Sequence, residues 1–206
     1  MIYLNNYGWN DKLSQLKQES TYNALTHGRI SIVHRTCYEV VSENGLFQCE
    51  LTGNMMYGKS DIELPCTGDW VLFQPFDEHK GIIVDMLPRE RTLYRKKNGT
   101  VADKQAIASY VDKAFIVQSL DDNFNVRRAE RFMVQMQEEN INPVLVFNKA
   151  DLGFDEQKVE EQIRHIARQI PVFFTSIHQP QTILQLRESI SAGETVVFVG
   201  SSGVGK

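Results

Sequence analysis

The chain has 206 residues, 42% of them hydrophobic, and a formal net charge of -4. That length allows one or two domains with packed cores, and the negative balance excludes a global basic field, so any nucleic-acid contact has to be local. The cysteines Cys37, Cys49 and Cys66 are odd in number and lack C-x-x-C spacing, and the histidines show no metal spacing, which excludes a disulfide or zinc framework of the usual kind and suits a reducing cytosol.

The start, Met1-Ile2-Tyr3-Leu4-Asn5-Asn6, has neither the basic region nor the apolar core of a signal peptide, and no membrane span is legible, so a cytoplasmic location is expected. Residues 1–24 read as an N-terminal extension. Residues 25–95 show short alternating runs separated by turn residues and no helical period. The runs are 27–33, 38–41, 46–51, 69–73 and 81–87, with Glu43-Asn44-Gly45 as a hairpin signal between the second and third. Five strands in so short a segment predict a small Greek-key barrel of the OB type, an architecture that often binds single-stranded nucleic acid or structured RNA. Arg89, Arg91, Arg95, Lys96 and Lys97 form the one basic cluster, which reads equally well as an RNA contact or as a solvated linker. Residues 96–110 are taken as the linker.

From 111 to 206, strand and helix alternate, which predicts a parallel sheet covered on both faces. A strand starts at Lys113 and ends near Leu120. Asn125 is placed to cap a helix with Val126, Ala129, Phe132, Met133 and Met136 on one face, stopped by Asn142-Pro143; Arg127, Arg128 and Arg131 read as its charged side. A second strand, 143–147, is followed by a helix carrying Val159, Ile163, Ile166, Ala167 and Ile170. A third strand, 172–175, is followed by a helix carrying Ile183, Leu184, Leu186 and Ile190, with Gly193 as its stop. The fourth strand is 195–199.

Three loops carry chemistry. Asn148-Lys149-Ala150-Asp151 follows the second strand and spells N-K-x-D. Guanine offers N1–H and the N2 amino group as adjacent donors, and the Asp151 carboxylate can accept both; adenine would leave that carboxylate unpaired. Asn148 is expected to meet the N7/O6 edge and the alkyl stem of Lys149 to cover the base face. A polar turn with Asp151 as a helix cap is the plainer reading. Ser176, at the end of the third strand, is expected to support the guanine O6 through its backbone. The last loop, Gly200-Ser201-Ser202-Gly203-Val204-Gly205-Lys206, spells G-x-x-x-x-G-K after an apolar strand. Its glycines let backbone N–H groups face phosphate oxygens, and Lys206 adds a point charge. The chain stops before the Ser or Thr that would hold Mg²⁺, so it reads as a fragment of a longer protein, incomplete at the C-terminus. Alone it is expected to bind GTP poorly, with 200–206 poorly ordered or held only by neighbours.

The guanine loop precedes the phosphate loop, the reverse of the ordinary order, which predicts a circularly permuted GTPase domain over 111–206. Four stretches and the terminal loop together resemble the ribosome small-subunit-dependent GTPases, the RsgA (YjeQ, YloQ) family: Gly68-Asp69-Trp70-Val71; Leu87-Pro88-Arg89 with 91–95; 121–132 (D-D-N-F-N-V-R-R-A-E-R-F); and 143–152, ending N-K-A-D-L. The likeness runs from about Leu25 to Lys206. It implies an OB barrel, a permuted P-loop GTPase domain and a zinc-binding domain. It also implies GTP/GDP and Mg²⁺ as ligands, and Zn²⁺ only in a C-terminal domain absent from this chain. The implied function is GTP hydrolysis during late maturation of the small ribosomal subunit, with that subunit and its rRNA as partners of a monomer. Ile177-His178 departs from the family's usual Ala and Lys. No water-activating residue and no metal ligand can be named here. An RNA-binding barrel with an inert GTPase half, or another permuted ribosome-assembly GTPase, stays open as an alternative.

Overall fold

Alternation of apolar and polar residues builds the first half of the chain. In β3 (Gly45–Leu51), Phe47 and Cys49 are buried while Leu46, Gln48 and Glu50 face outward, as a two-residue period on a half-buried strand requires. The computed structural model describes residues 1–57, 59–96, 104–122, 124–153, 155–165, 167 and 170–206. They form two units, Met1–Val111 and Asp112–Lys206.

In the first unit, β1 (Thr26–Val33), β2 (Tyr38–Ser42), β3, β4 (Trp70–Asp77) and β5 (Lys80–Met86) close into a barrel in the order β1-β2-β3-β5-β4. Neighbours are antiparallel except β3 and β5. The interior is filled by Ile30, Val40, Phe47, Cys49, Val71, Phe73 and Ile83, with Met55 supplied by the short helix α2 (Gly53–Met56) between β3 and β4. Closure removes the exposed edges that an open sheet of this size would present.

The N-terminal extension is part of this unit. A 3-10 turn at Leu4–Tyr7 leads to α1 (Asp11–Glu19), capped by the Asn10 side chain, which accepts from the Leu13 N–H at 3.1 Å. Leu4 and Leu13 are buried against Val41, Trp70, Leu72, Leu87 and Tyr110. The expected linker also needs correction. β6 (Leu93–Lys96) and β7 (Lys104–Ala108) pair antiparallel, and Ala106 and Ala108 are buried. The small, alternating apolar positions of 104–108 make a strand rather than a tether. Lys97 lies outside the described residues.

The second unit contains β8 (Lys113–Ser119), α3 (Val126–Glu138), β9 (Asn142–Asn148), α4 (Glu156–Ile163), β10 (Val172–Thr175), α5 (Pro180–Glu188) and β11 (Val196–Val199). The sheet order is β10-β9-β8-β11, all parallel. The central strands β8 and β9 are buried on both faces, and Ala129, Met133 and Met136 of α3 cover one of them. Asn125 caps α3, accepting from the Arg128 N–H at 3.1 Å. The helix ends at Glu138, four residues before Asn142, and Asn140 takes the left-handed conformation (φ 55°) that turns the chain. Asn142-Pro143 therefore opens β9 instead of stopping the helix; Pro143 costs no ladder bond that the strand's start would need. Helices α4 and α5 end at Ile163 and Glu188, short of the apolar positions expected to extend them, and Ile166 lies outside the described residues. The fold class is thus an OB-type barrel unit and an α/β P-loop unit in permuted order.

Candidate nucleotide site

A parallel sheet presents its ligand loops at the carboxyl ends of its strands. Here β8 delivers Leu120-Asp121, β9 delivers Lys149–Asp151, β10 delivers Ser176 and β11 delivers Gly200–Lys206 to one edge. The register places Ser119 opposite Asn148 and Asn148 opposite Thr175, so three loops leave the sheet at one level.

Asn148 is 8% exposed and ties these loops together. Its Nδ2 donates to the Val204 carbonyl at 2.9 Å, and its Oδ1 accepts from Thr175 Oγ1 at 3.2 Å. These bonds fix the phosphate loop to the N-K-x-D loop. The Ala150 N–H donates to the Thr175 carbonyl at 3.1 Å, anchoring the turn from below. Lys149 sits at φ 62°, a region that a non-glycine residue enters only when its surroundings hold it there. Its Nζ pairs with Asp121 Oδ2 at 2.7 Å, and Ser119 Oγ donates to Asp121 Oδ1 at 2.6 Å.

Asp151 is exposed, and the buried Ser176 hydroxyl donates to its Oδ1. That hydrogen bond, with a smaller contribution from His178, holds the Asp151 carboxyl below the ordinary aspartate range. The backbone of Ser176 is used differently from expectation: its N–H donates to Thr182 Oγ1 at 3.1 Å, while its Oγ accepts from the His178 N–H at 3.0 Å. Ser176 therefore bears on the site through its hydroxyl and Asp151.

The phosphate loop is built on left-handed glycines, with φ 155° at Gly200, 81° at Gly203 and 85° at Gly205. Val204 is fully buried in the core with Phe115, Val117, Val144, Val146 and Leu186, so the loop is pinned at its middle. Ser202 and Gly203 are exposed, and Lys206 Nζ donates to the Ser201 carbonyl at 2.9 Å across the loop. Arg128, read from sequence as part of a charged face, donates from Nη1 to Ser201 Oγ at 2.9 Å. With Arg131, Phe132, Gln135, Gly200 and Ser201 it lines a cavity of about 310 Å³ beside the loop.

Sequence reasoning gave no role to Asp121, Ser119, Thr175, Thr182 or Arg128. Asp121 had a signal, being a carboxylate at the end of a buried strand within a stretch that carries the family resemblance. Arg128 lies in the same stretch, but its partner, 73 residues away, is not legible locally.

Of the basic cluster, the side chains of Arg89, Arg91 and Arg95 are described, and they differ in exposure. Arg89 is 11% exposed at the side chain and forks onto Asp69, with contacts of 2.6, 2.9 and 3.1 Å; it also donates to the Ile62 and Leu64 carbonyls. An Arg in that position holds the barrel together, its guanidinium engaged by Asp69 and two carbonyls. Arg91 Nε donates to the Val111 carbonyl at 3.1 Å and Nη1 to Glu90 at 3.3 Å. Arg95 is exposed on β6, which ends at Lys96. Among the described residues no group of three His, Cys, Asp or Glu could hold a metal, and no helix is long and apolar enough to cross a membrane.

A closed OB-type barrel, a four-stranded parallel sheet, a G-x-x-x-x-G-K loop and an N-K-x-D loop that precedes it define a circularly permuted P-loop GTPase fold. The RsgA GTPase family model matches residues 86–206, and the chain belongs to that family. It is 74% identical over 200 residues to small ribosomal subunit biogenesis GTPase RsgA 1 of Bacteroides thetaiotaomicron, covering 97% of this chain and 56% of that protein. It is 34% identical over 202 residues to RsgA of Methanosarcina acetivorans, covering 97% and 53%. The chain spans about half the length of the curated relatives it matches. Among solved structures, YjeQ from Thermotoga maritima superposes with a TM-score of 0.66 at 24% identity, over 88% of this chain and 62% of that one. YloQ, a circularly permuted GTPase, superposes with 0.63 at 23%, over 91% and 63%.

Proposed function

We propose that the chain binds guanine nucleotide at the carboxyl edge of its parallel sheet, and that the protein hydrolyses GTP to GDP and phosphate while assisting late maturation of the small ribosomal subunit. The observation that carries the reading is the Asn148–Val204 tie, which fixes a base-reading loop and a phosphate loop to each other. Asp151, whose carboxylate accepts from the Ser176 hydroxyl, would accept from guanine N1–H and N2; Lys149 would cover the base face. Gly200–Gly205 would offer backbone N–H groups and Lys206 a charge to the phosphates. Magnesium, when bound, would neutralise charge developing on the transferred phosphoryl group. No residue of this chain is assigned to water activation.

The names of the relatives support the small subunit as the partner. Contact with its rRNA would fall to the barrel unit, where Arg95 is the exposed member of the basic cluster among the described side chains; Arg89 is withdrawn from that role. The setting is the cytoplasm, the protein is a monomer, and zinc is assigned to no residue of this chain.

The test is Asp151→Asn in the full-length protein. An amide donor opposes the guanine amino group and suits the xanthine carbonyl, so GTP affinity should fall on the order of 10²-fold and preference should move to xanthosine triphosphate. Unchanged GTP affinity would overturn the assignment.

A further inference from the structure

We infer that Asp121 is a positioning residue of the base-reading loop, acting through Lys149; the inference rests on the guanine reading proposed above. Lysine is a poor wall for a ligand by itself, because its four-carbon stem samples many rotamers and its ammonium seeks water or any nearby anion. Here both ends of that stem are fixed. The backbone end is held in the left-handed region at φ 62°, and the Leu152 N–H donates to the Lys149 carbonyl at 3.2 Å. The ammonium end is held by Asp121 Oδ2 at 2.7 Å.

Asp121 is itself held in place. Ser119 Oγ donates to its Oδ1 at 2.6 Å, and the Phe124 N–H donates to its carbonyl at 2.9 Å. The Leu120 N–H, one residue earlier, donates to the Asn148 carbonyl at 2.9 Å. The carboxylate at the end of β8 is therefore placed by the same hydrogen-bonded edge that places the N-K-x-D loop on β9.

An ion pair with side chains 35% and 25% exposed adds little to folding stability. Its consequence is geometric: Asp121 holds the end of the stem and neutralises its charge, leaving the methylenes to meet the ring. Because the effect sits at the base, losing Asp121 should weaken nucleoside and nucleotide alike.

The experiment titrates the full chain with guanosine and with GDP, followed by NMR shifts so that weak binding is still measured. Asp121→Asn should weaken both ligands by about three- to tenfold, by the same factor, with no change in the denaturation midpoint. Asp121→Glu should recover part of the loss. In a Lys149→Met background, Asp121→Asn should have no further effect, since the group it positions is gone.

Affinity within twofold of wild type in Asp121→Asn, in a chain where Asp151→Asn abolishes guanine preference, would overturn the inference and leave the guanine reading standing. An equal loss in the Lys149→Met background would also overturn it, because Asp121 would then act by another route. If Asp151→Asn leaves GDP binding intact, the guanine reading fails and this inference with it.

Discussion

The two units use the same kinds of residue for opposite ends. In the barrel unit, the stretches Gly68-Asp69-Trp70 and Leu87-Pro88-Arg89 meet in a buried knot. The Arg89 guanidinium holds Asp69 and two carbonyls, Asp69 accepts from the Cys66 N–H at 2.7 Å, and the Leu87 N–H donates to the Trp70 carbonyl at 2.9 Å. Gly68 closes the knot at φ 94°, where a Cβ would stand 2.4 Å from the Ser109 carbonyl oxygen. In the nucleotide unit, the motif charges stay at the surface: Asp151 and Lys206 are exposed and Lys149 is about a third exposed. Both sets of residues carry the family resemblance equally well. Burial is what separates a charge that specifies a fold from one that awaits a ligand, because a buried charge without a partner is expensive and an exposed one is not.

The comparison breaks most visibly at Asp69. Replacing it with Ala leaves Arg89 buried without its carboxylate, and the barrel unit should lose about 3–5 kcal/mol. Arg95→Ala, on the exposed end of β6, should stay within about 0.5 kcal/mol. Urea denaturation of both variants measures the difference. Thiol labelling adds a local reading: burial pushes the thiols of Cys49 and Cys66 up to about 12, so they should resist alkylation in the native chain, and Cys66 should become reactive in Asp69→Ala. A small effect at Asp69 would mean that the knot is incidental to the barrel.

The next effect in size tests the joint between the two ligand loops. Gly205 has φ 85°, and a Cβ there would come within 2.3 Å of Asn148 Nδ2, the atom that donates to Val204. Gly205→Ala should displace Asn148 and weaken guanosine and GDP together, roughly tenfold or more. Asn148→Ala should do the same, and the double variant should be no worse than either alone, since both remove one tie. Additive losses would show that the loops are not coupled through this contact.

Legibility followed range. The five barrel strands, the order of the parallel sheet's elements and both ligand motifs were readable because period, turn residues and loop spelling are local properties. The first-unit helix α1 was not, since only Leu13 among its nine residues is buried and Leu4 lies outside it. The partners of Arg89 and Asn148 were not legible for one reason. Each looks polar and available in sequence, and each is consumed by a partner that only the fold supplies: Asp69, 20 residues away, and Val204, 56 residues away. The β6–β7 pair hid behind a Gly- and Asp-containing stretch that reads as a tether.

The smallest expected effect separates a charge poised for a ligand from one that is merely exposed. Asp151 is exposed, yet its carboxyl lies below the ordinary aspartate range, first because the Ser176 hydroxyl donates to it. Ser176→Ala removes that donor, so the carboxyl should return toward the ordinary value. The sign follows from linkage: a depressed pKa contributes stabilisation that is present above the ordinary aspartate pKa and is lost as pH falls through the depressed one. Near neutral pH both proteins hold Asp151 ionised, so GDP affinity should differ by less than about threefold, the net scale of one hydrogen bond. As pH falls toward the aspartate range, the variant should lose binding first, because its carboxyl protonates at higher pH and a protonated Asp151 cannot accept from both guanine donors. The measurement is GDP affinity against pH for the two proteins, with the Asp151 carboxyl followed by NMR. Superimposable profiles would show that Ser176 leaves Asp151 untuned, and that the exposed charges of this unit owe their state to solvent alone.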